Sequence, residues 1–292
     1  MAAKLLLYIL SAAILNVNAR ECNTREFEYG IVCVCNSTYC DDVPELEELP
    51  FGSFQLYTTS ESQPGLNSRT GEFSSVQQPS ISTVVIGETR YQTIIGFGGA
   101  FTDATGVNIR SLSEGTQQNL LDSYFAQNGI EYSLRYGFSP RPYSYDDVDS
   151  EDINLEHFEL QEEDLNYKIP FIQAALNRTS TLKLFGSAWS APLWMKTHKL
   201  WSGYSSLKEE YYQAWADYAI KFFDEYEKYD IAFWGMTTGN EPLNGFFPHE
   251  NSLINALGWI PHLQVHNIHN NMDKVDKKKI WDLLCVTAPT KM

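Results

Sequence analysis

The sequence predicts an α/β fold in which parallel strands alternate with helices, preceded by a β-rich segment that holds most of the cysteines. Two observations carry this prediction. From Tyr91 onward, short apolar runs of strand length alternate with stretches of helical periodicity. One of these runs, Ile231–Met236, is apolar throughout, which is typical of a parallel strand buried on both faces. Of the 292 residues, 43% are hydrophobic, which is enough for a sizeable core.

Residues 1–19 have the features of a secretory signal peptide. Lys4 supplies the positive start, Leu5–Val17 the apolar stretch, and Val17-Asn18-Ala19 the small residues of a cleavage site. The alternative is a first membrane span, but the run is short of the roughly 20 apolar residues that a span needs. We therefore expect cleavage after Ala19 and entry into the secretory pathway. The formal net charge of −16 argues against a nucleic acid partner.

The cysteines and the glycosylation sequons agree with that route. Four cysteines lie close together near the predicted new N-terminus: Cys22, Cys33, Cys35 and Cys40. They allow three disulfide pairings, and a zinc site is the rival interpretation. Cys285 is left over and has no predicted role. Asn36 and Asn177 each begin an Asn-X-Thr sequon, so both are predicted glycosylation sites.

Residues 20–90 have the composition of short strands and turns. Phe54–Thr58 and Ile81–Ile86 are rich in residues that favour strands, and Pro64-Gly65 and Gly71 predict turns between them. No helical period is present in this part of the chain. We therefore predict a β-rich N-terminal segment.

The first strand–helix unit begins with a predicted strand over Thr93–Phe97. The segment Gly98–Asp103 is then predicted to be a tight loop, and its glycines lack the spacing of a phosphate-binding loop. Ser113 is expected to cap a helix that runs to about Gln127. The second strand is predicted over Tyr132–Tyr136.

Two further units follow an acidic, turn-rich stretch, Asp146–Asp164. Its carboxylates predict a solvated loop and a helix N-terminus, with a metal site as the alternative. A helix is predicted over Ile169–Asn177, with Pro170 in its first turn. Leu182–Ser187 is the third predicted strand. The helix predicted over Glu209–Tyr226 carries an apolar stripe, which we assign to the core.

Both a closed barrel and an open doubly wound sheet satisfy this order of strands and helices. Residues at or just after the strand ends favour the barrel, because the active site of such a barrel forms there: Arg135, Trp189, Asn240 and Glu241. Glu241 is the first catalytic candidate, and a surface glutamate in a loop is the alternative. Exposed aromatic side chains beside hydrogen-bonding groups suit a sugar ring.

Four motifs occur in order between about Cys22 and about His266. They are Cys33–Cys40 (CVCNSTYC), Gly96–Asp103 (GFGGAFTD), Ser187–Lys196 (SAWSAPLWMK) and Thr238–Pro242 (TGNEP). Together they resemble the lysosomal acid β-glucosidase, or glucosylceramidase, family. The resemblance implies a (β/α)8 TIM barrel combined with a β-sandwich. Residues 91–272 would then hold barrel strands one to four, residues 20–90 part of the sandwich, and residues 273–292 a divergent tail, after a helix from Pro261 to about Met272.

The resemblance also implies an activity. The family hydrolyses glucosylceramide in the lysosome with retention at the anomeric carbon, and without a metal or an organic cofactor. A glucosylceramide-type glycolipid is the implied substrate, with a saposin-like activator and an anionic membrane surface as partners. Glu241 would be the general acid/base, Asn240 would bond the sugar 2-hydroxyl, Trp189 would line the glucose pocket and Arg135 would hold the carboxylates in place. The implied disulfides are Cys22–Cys33 and Cys35–Cys40.

Two departures from the family pattern bear on activity. No Ser-Glu-Ala-type motif, which carries the family's nucleophile, follows Glu241, and Tyr136–Pro142 replaces a loop that holds a sugar-binding aspartate. A retaining mechanism needs two carboxylates. We therefore expect these 292 residues to be inactive alone, and half a barrel to be unstable or to aggregate, as in a truncated gene model or splice form. The alternatives are a non-catalytic glycolipid- or sugar-binding protein and a glycosidase for another β-linked sugar.

Overall fold

The computed structural model describes the greater part of the chain, namely residues 25–27, 30–32, 34–40, 48–60, 63–74, 84–132, 134–135, 139, 141–248 and 254–260. The chain divides into two compact units, one up to Val84 and one from Val85 onward, except that residues 36–38 group with the second. Several sequence predictions lie outside the described residues: the signal peptide, Cys22, Cys33, the helix from Pro261 and Cys285.

The first unit contains two antiparallel strand pairs. Strand β1 (Arg25–Phe27) pairs with β2 (Gly30–Val32), and β3 (Ser53–Ser60) pairs with β4 (Gln63–Glu72). The predicted strand over residues 54–58 lies inside β3. The β-rich character predicted for this part of the chain is therefore present in the described residues.

Two predictions in this region are wrong. Pro64-Gly65 and Gly71 lie within β4 instead of forming turns, and Val84–Ile86 is not a strand. Gly71 belongs in the strand because it is paired with Phe54, whose ring lies over it. A Cβ at position 71 would come within 2.5 Å of that ring, so only glycine fits without a shift of the ring.

The second unit is built on a four-stranded parallel sheet in which the strands follow chain order. Its strands are β5 (Gly98–Gly99), β6 (Leu134–Arg135), β7 (Lys183–Gly186) and β8 (Gly235–Met236). Each strand pairs with the next one along the chain, and helical segments lie between them in the sequence. The prediction of an α/β fold with parallel strands is therefore confirmed.

The first strand of this sheet does not lie where the sequence predicts it. The residues of the predicted strand, Thr93–Phe97, do not form a strand, and Phe97 is 73% exposed. Pairing begins instead at Gly98, inside the predicted loop. Apolar composition alone could not fix the start of the strand, because the pairing partners decide it.

A helix that was not predicted follows β5. Helix α1 (Asp103–Ser111) begins where the Thr102 hydroxyl accepts a hydrogen bond from the backbone N–H of Thr105, at 2.7 Å. Gly106 lets the helix pack closely, because a Cβ there would lie 2.5 Å from the carbonyl oxygen of Tyr167.

The other three helices agree with the predictions to within a few residues. They are α2 (Glu114–Phe125), α3 (Ile169–Leu176) and α4 (Tyr212–Glu227), the last preceded by a short 3₁₀ turn. Ser113 directly precedes α2 as predicted, but its hydroxyl bonds the hydroxyl of Thr116 and not the helix backbone. None of the helices in the described part is long and apolar enough to cross a bilayer.

The core of the second unit consists of two clusters of buried side chains. One joins α1, α2 and α3 to β7, and the other packs the apolar side of α4 against the segments around Trp194 and Trp259. Trp215, Tyr218 and Tyr226 of α4 are each less than 7% exposed. The prediction that the α4 stripe belongs to the core is therefore confirmed.

The acidic stretch is not the solvated loop that we expected. Four of its carboxylates are buried: Asp146, Asp152, Glu163 and Asp164. Three of them have basic partners, since Arg141 pairs with Glu163, Lys168 with Asp164 and His157 with Asp152. Asp146 is different, because burial and then the nearby charge of Asp152 raise its pKa to about 6. Two of these pairs are close in sequence, but spacing alone does not show that a carboxylate is buried, because burial depends on how the stretch packs in the folded unit.

A disulfide joins Cys35 to Cys40, as the resemblance implies. Asn36 is exposed, and its Oδ1 accepts hydrogen bonds from the backbone N–H and the hydroxyl of Thr38, at 2.9 and 3.1 Å. Asn177 is also exposed and directly follows α3. Glycosylation at the two asparagines stays a prediction, and their exposure is what it requires.

Candidate active site

The loops after β7 and β8 run side by side beyond the carboxyl ends of the strands. The strand pairing of Gly186 with Met236 continues outward, because Thr237 N–H donates to the Gly186 carbonyl oxygen at 2.9 Å. Further on, Asn240 N–H donates to the carbonyl oxygen of Ala188 at 2.8 Å. The backbone of Asn240 is therefore fixed beside the residue that precedes Trp189. Active-site residues of β/α barrels occupy this edge of the sheet.

Glu241 occupies a strained backbone position at the end of this loop. Its φ is +43°, in the left-handed region that a residue with a side chain rarely adopts. Its carbonyl oxygen accepts from the Asn244 N–H at 2.9 Å, and its Oε2 accepts from Asn244 Nδ2 at 2.8 Å. The Glu241 side chain is exposed to solvent. Such strain costs about 1–3 kcal/mol and is concentrated at functional sites.

A cavity of about 420 Å³ lies next to these loops, and Trp189 lines it. Trp215, Tyr218 and Phe222 of α4 form an aromatic wall, and residues 184–186 of β7 form another side. Asn240 and Glu241 are not among the lining residues that the structure describes. The structure thus places Trp189 in the cavity, whereas the two motif residues lie on the neighbouring loop.

Arg135 was the fourth residue predicted for this site. It lies in β6, where it pairs with Gly99 on one side and Leu184 on the other. Its backbone therefore occupies the middle of the sheet, at the carboxyl end of its strand. The position of its side chain lies outside the described part, so its role stays a prediction.

The polar end of the cavity contains an ion cluster that the sequence did not predict. Lys168 Nζ lies 3.0 Å from Asp103 Oδ1 and 2.6 Å from Asp164 Oδ1. The Tyr143 hydroxyl donates to Asp103 Oδ2 at 2.9 Å. Asp103 and Asp164 are almost fully buried, and the Lys168 side chain is 15% exposed. The buried ammonium of Lys168 therefore forms ion pairs with two buried carboxylates.

The surroundings of this cluster favour the charged lysine. Burial acts against the charge on Lys168, but the neighbouring Tyr226, Asp164, Tyr143 and Asp103 outweigh it and raise the pKa of Lys168. The Tyr226 hydroxyl donates to Asp164 Oδ1 at 2.5 Å. Burial raises the pKa of Tyr226, so this hydroxyl keeps its proton and remains a donor.

A signal for this cluster was present in the sequence. Asp164 and Lys168 are four residues apart, so a helical turn brings them together, and they form the two ends of a π-helical turn. Asp103 ends the Gly96–Asp103 motif, to which we gave no functional role. The tertiary pairing between Asp103 and Lys168 could not be inferred, because it depends on the packing of α1 against the π-helical turn.

The loop beside Trp189 is held by a buried lysine. Lys196 is fully buried, and its Nζ donates to Ser190 Oγ at 2.8 Å, to the Leu200 carbonyl oxygen at 2.5 Å and to the Ala256 carbonyl oxygen at 2.8 Å. Burial lowers the pKa of Lys196 to about 7. A longer contact of 3.4 Å joins the same Nζ to the Trp201 carbonyl oxygen, so the three N–H donors of the ammonium face four acceptors. Lys196 therefore fixes Ser190, which also lines the cavity.

A parallel β/α sheet whose carboxyl-end loops carry an aromatic cavity and a loop glutamate is an arrangement found in barrel glycoside hydrolases. Residues 94–278 match the family model described as the glycosyl hydrolase family 30 TIM-barrel domain. The chain belongs to this family.

Individual relatives agree with this assignment. The lysosomal acid glucosylceramidase of Mus musculus is 38% identical over 281 residues, which cover 90% of this chain and 53% of the mouse protein. A Caenorhabditis elegans protein is 39% identical over 241 residues, covering 77% of this chain and 46% of its own. The chain thus spans about half the length of the curated relatives it matches. The crystal structure of SrfJ from Salmonella typhimurium aligns with a TM-score of 0.67 at 26% identity, covering 79% of this chain and 52% of SrfJ.

Proposed function

We propose that the chain supplies the acid/base side of a retaining β-glucosidase active site. In this proposal Glu241 is the general acid/base, Asn240 bonds the sugar 2-hydroxyl, and Trp189 offers its ring to the apolar face of the sugar. The observation that carries the proposal is the hydrogen bond from Asn240 N–H to the Ala188 carbonyl oxygen. It fixes the loop of Glu241 beside the loop of Trp189, at the edge of the sheet where barrel chemistry occurs.

In a retaining mechanism Glu241 has two successive roles, first as an acid and then as a base. As an acid it protonates the leaving oxygen of the glycosidic bond, and as a base it then takes a proton from the water that releases the sugar. The exposed carboxyl is reachable by a substrate oxygen, and the Asn244 side chain holds one of its oxygens. The other carboxyl oxygen is the one we assign to proton transfer.

The nucleophile is not assigned to any described residue. Asp103 is the one acidic residue among the described residues that line the cavity, and Lys168 already pairs with it. A carboxylate held in an ion pair is a poor nucleophile, because its charge is compensated. We propose that a later part of the family's barrel carries the second carboxylate, so that the 292 residues alone do not hydrolyse glycosides.

The substrate class follows from the relatives. The 38% identity to the mouse lysosomal acid glucosylceramidase supports a glucosylceramide-type glycolipid as substrate. The name of that relative also supports the lysosome as the place of action. A saposin-like activator and an anionic membrane surface are proposed as partners on the resemblance of the sequence motifs alone. The substrate and the place of action are part of the proposal and rest on similarity over about half of the relative.

A chimera tests the proposal directly. Residues 94–260 replace the matching segment of the mouse relative, and the secreted chimera is assayed with a fluorogenic β-glucoside beside the unaltered 292-residue chain. We expect turnover by the chimera and none by the chain alone. Glu241→Gln in the chimera should lower kcat by about 10²–10⁴-fold. Leu243→Ala, which changes an exposed neighbour, is the matched control and should keep activity.

The leaving group separates acid catalysis from a structural role of Glu241. An aryl glucoside whose leaving group needs no protonation should lose much less of its first-step rate in the Glu241→Gln chimera. If Glu241→Gln lowered the first-step rate equally for this aryl glucoside and for a glucoside whose leaving group must be protonated, the acid/base role would be contradicted. A chimera that binds glucosides without cleaving them would favour the non-catalytic binder. A panel of aryl glycosides then reports whether another β-linked sugar is preferred.

A further inference from the structure

The loop that follows β6 brings together three side chains that could ligate a metal ion. Asp146, Asp152 and His157 each place a ligand atom within 4.8 Å of the others. All three come from one stretch of 12 residues, so the cluster is local to this loop. None of them is among the described residues that line the cavity, so the cluster is distinct from the proposed sugar site.

Asp146 carries the argument. Asp146 is 1% exposed, and neither of its carboxylate oxygens has a hydrogen-bond partner among the described residues. A buried carboxylate without a hydrogen bond or a counter-ion costs several kcal/mol, so native structures rarely contain one. Its oxygens lie in the Asp146–Asp152–His157 cluster, where no lysine or arginine offers an ion pair among the described residues. A cation at that point would supply the missing partner.

The other two ligands are already oriented. Asp152 Oδ2 accepts the backbone N–H of His157 at 2.8 Å and lies 2.9 Å from His157 Nδ1. The Asp152 side chain is 9% exposed, whereas that of His157 is 66% exposed. The cluster is therefore rigid on its inner side and open to solvent through the imidazole. An ion could enter by that route without unfolding the loop.

We propose that Asp146, Asp152 and His157 bind one divalent transition-metal ion of the Zn²⁺ class. Two carboxylates and one imidazole form a mixed oxygen and nitrogen set, which suits Zn²⁺ better than Ca²⁺ or Mg²⁺, whose ligands are mostly oxygens. Water completes the coordination. The two positive charges of the ion balance the two carboxylates.

The ion would have a structural role. Trp194 Nε1 donates to the Asp146 carbonyl oxygen at 3.2 Å, and Tyr145 N–H donates to the Tyr218 hydroxyl at 2.8 Å. These hydrogen bonds tie the loop to the segment around Trp194 and to helix α4. Tyr145 of the same loop lines the cavity. A bound ion would hold the loop that forms this side of the cavity, and this role does not depend on whether the chain hydrolyses glycosides.

Metal binding to the untagged 292-residue chain tests the proposal. The chain is stripped with a chelator and titrated with ZnCl₂ in a calorimeter, with CaCl₂ and MgCl₂ as comparisons. We expect one Zn²⁺ per chain and a higher urea midpoint in its presence. His157→Gln and Asp152→Asn should each weaken binding by about tenfold or more. Asp149→Asn and His198→Gln change exposed residues of the same types and should leave the affinity unchanged.

The substitution Asp146→Asn should change the stability of the metal-free chain in the direction opposite to that expected for a structural aspartate. Removal of a buried, unpartnered charge should raise the urea midpoint of the metal-free chain, while the response to Zn²⁺ is lost. A merely structural aspartate would instead lose stability on substitution. If Zn²⁺ does not bind, or binds equally to the His157→Gln variant, the proposal is wrong. Asp146 then shares a proton with Asp152 instead.

Discussion

Replacing Lys168 by methionine removes the positive charge between two buried carboxylates while keeping a side chain of similar length. Asp103 and Asp164 would stay buried, and their remaining partners would be tyrosine hydroxyls and, for Asp164, the backbone N–H of Gln161. Loss of one partner of a buried ion pair costs about 3–5 kcal/mol, because the remaining charge is left uncompensated. The total free energy of unfolding of a domain is about 5–15 kcal/mol. We therefore expect Lys168→Met to leave the second unit close to its unfolding threshold.

Pulse proteolysis over a series of urea concentrations measures this loss at low protein concentration. Lys199→Met, which changes an exposed lysine, is the matched control and should shift the free energy of unfolding by about 0.5 kcal/mol or less. The double variant Lys168→Met/Asp164→Asn removes one uncompensated charge and should recover about 1–3 kcal/mol. Equal urea midpoints for Lys168→Met and the control, or no recovery in the double variant, would refute the ion cluster as a source of stability.

Three more predictions concern stability. Gly106→Ala should lower it by about 1–3 kcal/mol, because the added Cβ meets the Tyr167 backbone at 2.5 Å; a higher urea midpoint would contradict this close packing. Glu241→Gly should raise stability by about 1 kcal/mol by relieving the left-handed backbone, which Glu241→Gln should not do. The pKa of Lys196 is lowered to about 7, so the unfolded chain binds the proton more tightly and stability rises with pH above about 7. Between pH 7 and about pH 10 the rise should reach up to about 4 kcal/mol, and Lys196→Met should abolish it in urea titrations at each pH.

The sequence could predict those parts of the fold that depend on local periodicity. The α4 stripe is such a part, because burial of one continuous face dictates it. The predicted strand Ile231–Met236 is correct in place but not in extent, since only Gly235–Met236 pairs as a strand and Ala232 and Trp234 are exposed. The position of β5 was not predictable, since the apolar run before Gly98 is more strand-like than the two glycines that pair. Burial of the acidic stretch was not predictable either, because charged side chains are usually exposed and their burial here depends on how the stretch packs in the folded unit.

The candidate site shows the same division between local and tertiary information. Glu241, Asn240 and Trp189 could be named from motifs, but their relation depends on the register between β7 and β8. A slip of one residue would break the bond between Asn240 N–H and the Ala188 carbonyl oxygen and turn the loop of Glu241 away from Trp189. The site is therefore held by backbone pairing.

Backbone pairing of this kind has a consequence for where strain can be stored. The loop after β8 is fixed by strand pairing at Thr237 and Asn240, and the 3₁₀ turn that begins at Pro242 fixes its other side. The single residue between these two constraints is Glu241, and it takes the positive φ that joins them. A side chain placed at such a junction has little freedom to move away from its position. That is the condition under which a carboxyl group can meet a substrate oxygen repeatedly in one geometry.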